Sequence, residues 1–178
     1  MKDIVTEALK FASIHHAAIG QRRKYTHKPY IVHPIAVADI LCDYSIGTVT
    51  DEMIAAAYLH DTVEDTDATM EDIVQFGDTV YDYLYWLTDI AVPSDGNRAV
   101  RIAKNIVHIA NAPAAAQTIK AADISHNVLD IVYHDVNFGR VYVKEKRNMQ
   151  SVLTKADVGV LKYMDSVLTN AENFLLKL

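Results

Sequence analysis

The sequence predicts an all-α bundle, on three observations. Apolar residues recur at helical spacing along most of the chain. Helix-start signals, a capping hydroxyl followed by acids, stand at Thr50 with Asp51 and Glu52, and at Thr69 with Glu71 and Asp72. Strand signals are weak, because valine, threonine and isoleucine do not form alternating runs bounded by turns.

The elements follow in order. Ile4, Ala8, Phe11, Ala12 and His15 share one face of a first helix. Gln21 to Tyr30 is polar, basic and aromatic, and reads as a loop. Pro34 stands where a second helix can begin, followed by apolar Ile35, Val37, Ala38, Ile40 and Leu41. Asp43 to Val49 connects it to the helix that Thr50 caps, whose run Met53-Ile54-Ala55-Ala56-Ala57-Tyr58-Leu59 is apolar on every side and so predicts a buried helix. Gly77 breaks the pattern that Thr69 starts, and Val80, Leu84 and Leu87 mark the next helix. Val92 to Asn97, with Pro93 and Gly96, reads as a loop. Arg98 to Ala110 sets basic residues against Ile102, Ile106 and Ile109 on an amphipathic helix. Pro113 starts the helix that carries Ile119, Ala122, Asp123, His126, Asn127 and Ile131, and Val141 to Leu178 is helical with an interruption near Asp157-Val158-Gly159.

A chain of 178 residues without a linker, repeat or low-complexity segment predicts one domain over residues 1–178. Its net charge of −6 argues against nucleic-acid binding, which needs cations to neutralise phosphates. Met1-Lys2-Asp3-Ile4 does not open a signal peptide and no apolar run reaches membrane-spanning length, so no membrane partner and a cytoplasmic location are expected. Cys42 is the only cysteine, which rules out an intramolecular disulfide; its apolar surroundings predict a buried structural thiol. The stretch from Val167 to Leu176 reads as core, with self-association into a homo-oligomer as the alternative.

The buried helix ends in His60-Asp61-Thr62-Val63-Glu64-Asp65. Adjacent carboxylates repel one another, buried ones need partners, and acids near a helix C-terminus meet the unfavourable end of its dipole. A divalent cation removes all three objections. His60 and Glu64 are four apart, as are Asp61 and Asp65, so each pair shares a helix face. His33 at a loop-to-helix boundary and Asp123 on an apolar helix add a second imidazole and a second carboxylate. Such a mixed nitrogen and oxygen set suits manganese, zinc, iron, cobalt or nickel. Taken singly, each residue has an ordinary reading: His33 as a structural histidine, Asp123 paired with Lys120, Arg98 or Arg101, Glu64 and Asp65 as a solvated helix end. One cation accounts for all of them together. The basic run Arg22, Arg23, Lys24 and Lys28, with Arg98 further on, suits a phosphate-rich small molecule; Tyr25 and Tyr30 read as packing residues. His15, His16, His108 and His134 read as core or surface histidines, and His126 is ambiguous, one turn from Asp123.

The segments from Arg23 to Pro34 (RKYTHKPYIVHP) and His60 to Thr66 (HDTVEDT), with Phe76-Gly77 and Leu87-Thr88, resemble the hydrolase domain of Rel/SpoT proteins and, more closely, the stand-alone small alarmone hydrolases of the HD superfamily. The resemblance runs from about residue 5 to residue 150. It implies an HD helical bundle with a single metal site in its core, and a manganese-dependent 3′-pyrophosphohydrolase acting on (p)ppGpp through a metal-activated water. It places the metal ligands on His33, His60, Asp61 and Asp123, and the water-activating acids on Glu64 and Asp65. Nucleotide contacts fall on Arg23 and Lys24, while Lys120 and Asn127 match a Lys-x-x-Asp-x-x-x-Asn pattern beside the metal. Departures are His27 for the usual glycine, Ala121 and Ile124 for a leucine and a lysine, and Tyr58 before the His-Asp pair. The metal set is intact and the pocket differs, which keeps open an HD nucleotidase acting on deoxynucleotides, such as a dNTP triphosphohydrolase or a nucleotide phosphatase.

Overall fold

The computed structural model describes residues 3–178; of the N-terminal reading, Met1 and Lys2 lie outside the described residues. Ten helices are present among those described: α1 (Ile4–Ala18), α2 (Val32–Tyr44), α3 (Asp51–Leu59), α4 (Thr62–Asp65), α5 (Met70–Ile73), α6 (Asp78–Leu87), α7 (Arg98–Asn111), α8 (Ala114–His134), α9 (Val136–Gln150) and α10 (Val158–Leu176). Single 3₁₀ turns occupy Val74–Phe76 and Pro93–Asp95. The only extended pairing among the described residues is an isolated antiparallel bridge between Arg22 and Pro29. The all-α prediction holds, and no described helix is long and apolar enough to cross a membrane.

α8 is the axis of the bundle. It packs against α2, α9 and α10, and also meets α3, α6 and α7. From Ala116 to Ser125 every residue except Lys120 is buried, so this stretch is enclosed nearly all round. α3 is the second enclosed helix, with Ala55, Ala56, Ala57 and Leu59 fully buried between α1, α2 and α6. Small side chains let these backbones approach, and the Thr50 hydroxyl accepts from Met53 N–H to cap the helix where the sequence placed the cap. Thr69 caps α5 in the same way and completes a capping box with Asp72.

Two buried polar knots tie the far end of the bundle. Gln117 on α8 donates to the Ile109 and Ala110 carbonyls at the end of α7 and accepts from Lys155 N–H. Asp157 caps α10 through Gly159 and Val160 N–H and also accepts from Ile46 and Gly47 N–H in the α2–α3 connection. The two backbones close tightly there, since a Cβ on Gly159 would lie 2.0 Å from the Tyr44 carbonyl oxygen.

Some sequence expectations need correction. Cys42 is exposed, not buried. The buried side of α2 is Val37, Ala38, Ile40 and Leu41, which turns Cys42 outward between Asp39 and Asp43. Partial burial and those two carboxylates push its thiol up, so it is no activated nucleophile. α2 begins at Val32, two residues before Pro34, and α9 begins at Val136 rather than Val141 because the Asp135 side chain caps it by accepting from Phe138 N–H. The interruption of the last third spans residues 151–157, with Asp157 as its closing cap.

Gly159→Ala should destabilise the fold by about 1–3 kcal/mol, the usual cost of forcing volume into closed packing. Urea unfolding followed by circular dichroism measures it, and an unchanged midpoint would contradict the tight α2–α10 contact.

Candidate active site

Three elements bring the site together, each for a local reason. Two turns of the loop, closed by hydrogen bonds from Val32 N to Pro29 O and His33 N to Tyr30 O, swing the chain into α2 and aim His33 inward, where it is 0% exposed. α3 ends at Leu59 and the chain relaxes through His60 and Asp61 before α4 resumes, which turns His60 into the core at 3% exposure. Asp123 projects from the enclosed middle of α8 at 6% exposure.

The donor atoms converge. His33 Nε2 lies 3.2 Å from His60 Nε2, 3.2 Å from Asp123 Oδ1 and 3.3 Å from Asp61 Oδ2. His60 Nε2 lies 3.1 Å from Asp61 Oδ2 and 3.7 Å from Asp123 Oδ1. The donor atoms of His33, His60 and Asp123 fall within 4.8 Å of one another, and Asp61 joins them through its contacts with both imidazoles. Each donor residue has a further partner. His60 Nδ1 lies 2.8 Å from the Ala57 carbonyl, His33 Nδ1 lies 2.7 Å from His126 Nδ1, and the Tyr30 hydroxyl donates to Asp61 at 2.6 Å. Asn127 donates to Asp123 Oδ1 at 2.6 Å and the Lys120 ammonium sits 3.1 Å from Asp123 Oδ2. Two imidazoles and two carboxylates, all buried but the half-buried Asp61 and each held by a further partner, fit a divalent cation of borderline hardness.

The electrostatics carry the same signature. Burial alone would lower His60, but Asp61 and Asp123 outweigh it and hold the imidazole well above its ordinary value. Burial would raise Asp61 and Asp123, yet His60 and His33 beside Asp61, and Lys120 with both imidazoles beside Asp123, hold the two carboxyls well below the usual range. Lys120 is raised, because Asp123 and Glu64 overcome the cost of burying it. His126 is pushed down to about 4 by burial first, then by His33 and the Arg23 charge.

The sequence-predicted acids part company. Glu64 reaches across to accept from Asp89 N–H in the α6–α7 connection, and desolvation of its carboxyl, only partly offset by Lys120, pushes it up to about 7. Asp65 turns to the other side and accepts from Gln21 Nε2 at 2.8 Å, while Gln21 Oε1 meets His16 Nδ1. The cations are also unequal. Arg23 is buried, donating through Nε and Nη2 to Asp130 and through Nη2 to Asn127 Oδ1 at 2.8 Å. Lys24 is exposed above the Tyr25 and Phe138 rings. Arg98 pairs with Glu145 through two hydrogen bonds and lies over Phe138.

Lys120, Asp123 and Asn127 stand at i, i+3 and i+7 on one face of α8, with a cavity at either end of the row. At the Asn127 end a cavity of about 220 Å³ is lined by Arg23, Lys24, Tyr25, Tyr30 and Phe138. At the Lys120 end a cavity of about 160 Å³ is lined by Asp89, Arg98, Lys120, Glu145 and Lys146. A larger one, about 510 Å³ between α9 and α10, touches none of the predicted site residues.

Sequence reasoning missed three participants. Tyr30 was expected to pack, and its ring does lie against His16 and His33, but its hydroxyl also fixes Asp61. His126 backs His33, and Asp130 takes Arg23. Spacing held a signal for the last two, since residues 126 and 130 lie one and two turns beyond Asp123 on the same helix. His16 and His108 are buried histidines, as expected, with His108 bonded to the Tyr85 carbonyl. His27 adopts φ 56, the left-handed region that glycine takes without strain.

The family described as an HD domain matches residues 8–106, more than half the chain. The chain belongs to the HD domain family. Among curated HD relatives, the guanosine-3′,5′-bis(diphosphate) 3′-pyrophosphohydrolase MESH1 of Danio rerio is 39% identical over 132 residues, covering 72% of this chain and 69% of that one. The Drosophila melanogaster protein of the same name is 34% identical over 159 residues, covering 88% and 83%. A solved structure of a metazoan ortholog of SpoT that hydrolyzes ppGpp superposes with a TM-score of 0.82 at 26% identity, covering 96% of each chain. A Listeria monocytogenes protein shares the fold with a TM-score of 0.64 at 22% identity, covering 82% of this chain and 99% of that one. The structural likeness continues past residue 106, where the family match ends, through α8, α9 and α10.

Glu64 also sets a pH dependence of stability. Its folded value of about 7 lies above the ordinary 4.5, so the folded HD protein holds this proton more tightly than the unfolded chain. The contribution is complete below 4.5 and is lost as pH rises through about 7. In chelator, Glu64→Gln should therefore gain stability relative to wild type between pH 5 and pH 8, read as diverging urea midpoints. A constant offset would mean that the carboxyl is not raised.

Proposed function

We propose that this chain hydrolyses guanosine 3′,5′-bis(diphosphate) at its 3′ position, giving GDP and pyrophosphate, with a divalent cation held by His33, His60, Asp61 and Asp123. The observation that carries this reading is the convergence of two imidazoles and two carboxylates, each held by a further partner, beside a carboxyl poised near neutrality. The names of the HD relatives supply the substrate. Manganese is the proposed ion, since a mixed nitrogen and oxygen set with room for water suits it. When bound, the cation supplies Lewis-acid polarisation of a phosphoryl oxygen and makes its water more acidic.

The chain's own residues do the rest. Glu64, with a value near 7, takes the proton from the attacking water at a carboxylate oxygen. The water oxygen bonds to phosphorus, and the bond from that phosphorus to the ribose 3′ oxygen breaks. Asp65 holds Gln21 and so the base of the loop in which Arg23 and Tyr30 sit. The aromatic cavity at the Asn127 end of α8 takes the nucleoside, with Arg23 and Lys24 beside it. Lys120 and Arg98, at the other end, meet the diphosphate and neutralise its developing charge. The proposed location is the cytoplasm.

The test is Mn²⁺-supplemented hydrolysis of ppGpp, pppGpp and a set of deoxynucleotides, with products resolved by anion exchange. GDP and pyrophosphate should appear from ppGpp, and His60→Ala should abolish both metal binding and turnover. Glu64→Gln should keep the metal and lose about 10²- to 10⁴-fold in rate, the usual worth of a positioned base. Full turnover in Glu64→Gln would remove Glu64 from the base role, and silence on ppGpp with release from a deoxynucleotide would move the substrate to the nucleotide pool.

A further inference from the structure

A histidine that binds a metal through one ring nitrogen normally gives the N–H of the other to a carboxylate or backbone carbonyl, which fixes its tautomer and its aim. His60 follows that pattern, with Nδ1 on the Ala57 carbonyl. His33 does not. Its Nδ1 lies 2.7 Å from Nδ1 of His126, the two rings being 4.9 Å apart and tilted by 30°. Two ring nitrogens at that distance share one proton, so one donates and the other accepts. His33 must keep the lone pair of Nε2 for the side where Asp61 and Asp123 converge, which puts its proton on Nδ1. His126 therefore presents a lone pair at Nδ1 and carries its own proton on Nε2. His126 lines a cavity of about 270 Å³ beside Thr26, Lys28 and His134. It reaches His33 from α8, one turn beyond Asp123, so a single helix supplies both a carboxylate of the site and the acceptor behind an imidazole of the site.

We propose that His126 is a positioning residue that fixes the tautomer and orientation of His33 and thereby sets the affinity of the site for a divalent cation. The inference rests on His33 being a cation ligand. It adds an imidazole acceptor where a carboxylate or carbonyl is the usual partner. An imidazole is neutral, so it aims His33 without adding a third negative charge next to Asp61 and Asp123.

The experiment is a Co²⁺ titration of the full chain, followed by visible absorption and by competition with a chelator, on wild type, His33→Ala, His126→Asn and His126→Phe. Asparagine can place its carboxamide oxygen where Nδ1 stood; phenylalanine keeps the ring and removes the acceptor. His126→Phe should weaken Co²⁺ binding by about 10- to 100-fold, as loss of an outer partner usually does, while the metal-free protein still unfolds cooperatively. His126→Asn should stay within a few-fold of wild type. Equal losses in both variants would make His126 a packing residue and overturn the proposal, as would wild-type affinity in His126→Phe while His33→Ala binds weakly. Wild type that takes up no Co²⁺, or is unaffected by His33→Ala, would overturn the ligand reading as well. Should His126→Phe fail to fold, ¹⁵N spectra of Zn²⁺-loaded wild type decide: a proton on His33 Nδ1 and none on His126 Nδ1 supports the assignment, and the reverse tautomers overturn it.

Discussion

The carboxylate of Asp123 is the constraint around which the bundle is organised. It sits in the most enclosed stretch of α8, where an unpaired charge costs several kcal/mol even after relaxation. What makes it tolerable is the number of groups brought to it: Lys120 and Asn127 from its own helix, His33 from the head of α2 and His60 from the tail of α3. The two imidazole contacts are lost if α2, α3 and α8 do not meet at one point. The charge thus fixes the mutual register of three helices that apolar packing alone would leave freer to slide.

The same economy extends outward along α8. Asn127 donates to Asp123 and accepts from Arg23, and Arg23 is in turn held by Asp130. A loop with little regular structure is therefore pinned to Asn127 and Asp130 of the central helix by the Arg23 guanidinium. This is why Arg23 is buried while its neighbour Lys24 remains exposed, although the sequence offers the two as equals.

The helix starts at Thr50 and Thr69 and the cluster from His60 to Asp65 were legible because they depend on local chemistry: a threonine before acids caps a helix, and an all-apolar helix ending in charge demands an explanation. His33 and Asp123 were legible only in company, since each has an ordinary reading alone. What stayed hidden depends on rotation and on distant partners. Cys42 looks apolar in one dimension and faces solvent because two aspartates share its side of α2. Glu64 and Asp65 are adjacent in sequence, yet α4 is short enough to send one to Asp89 and the other to Gln21. No pattern within the cluster forecasts those partners, which come from residues 25 and 44 positions away.

The bond from Asp89 N–H to Glu64 has a consequence for how this fold can diversify. The proton affinity of that carboxyl is shaped by the segment between α6 and α7, which carries none of His33, His60, Asp61 and Asp123. Substitutions there can shift the acidity at which the Glu64 carboxyl ionises while leaving His33, His60, Asp61 and Asp123 untouched. The connection is a tuning element: related chains living at different internal pH can adapt their working range in a surface loop, without reopening the core.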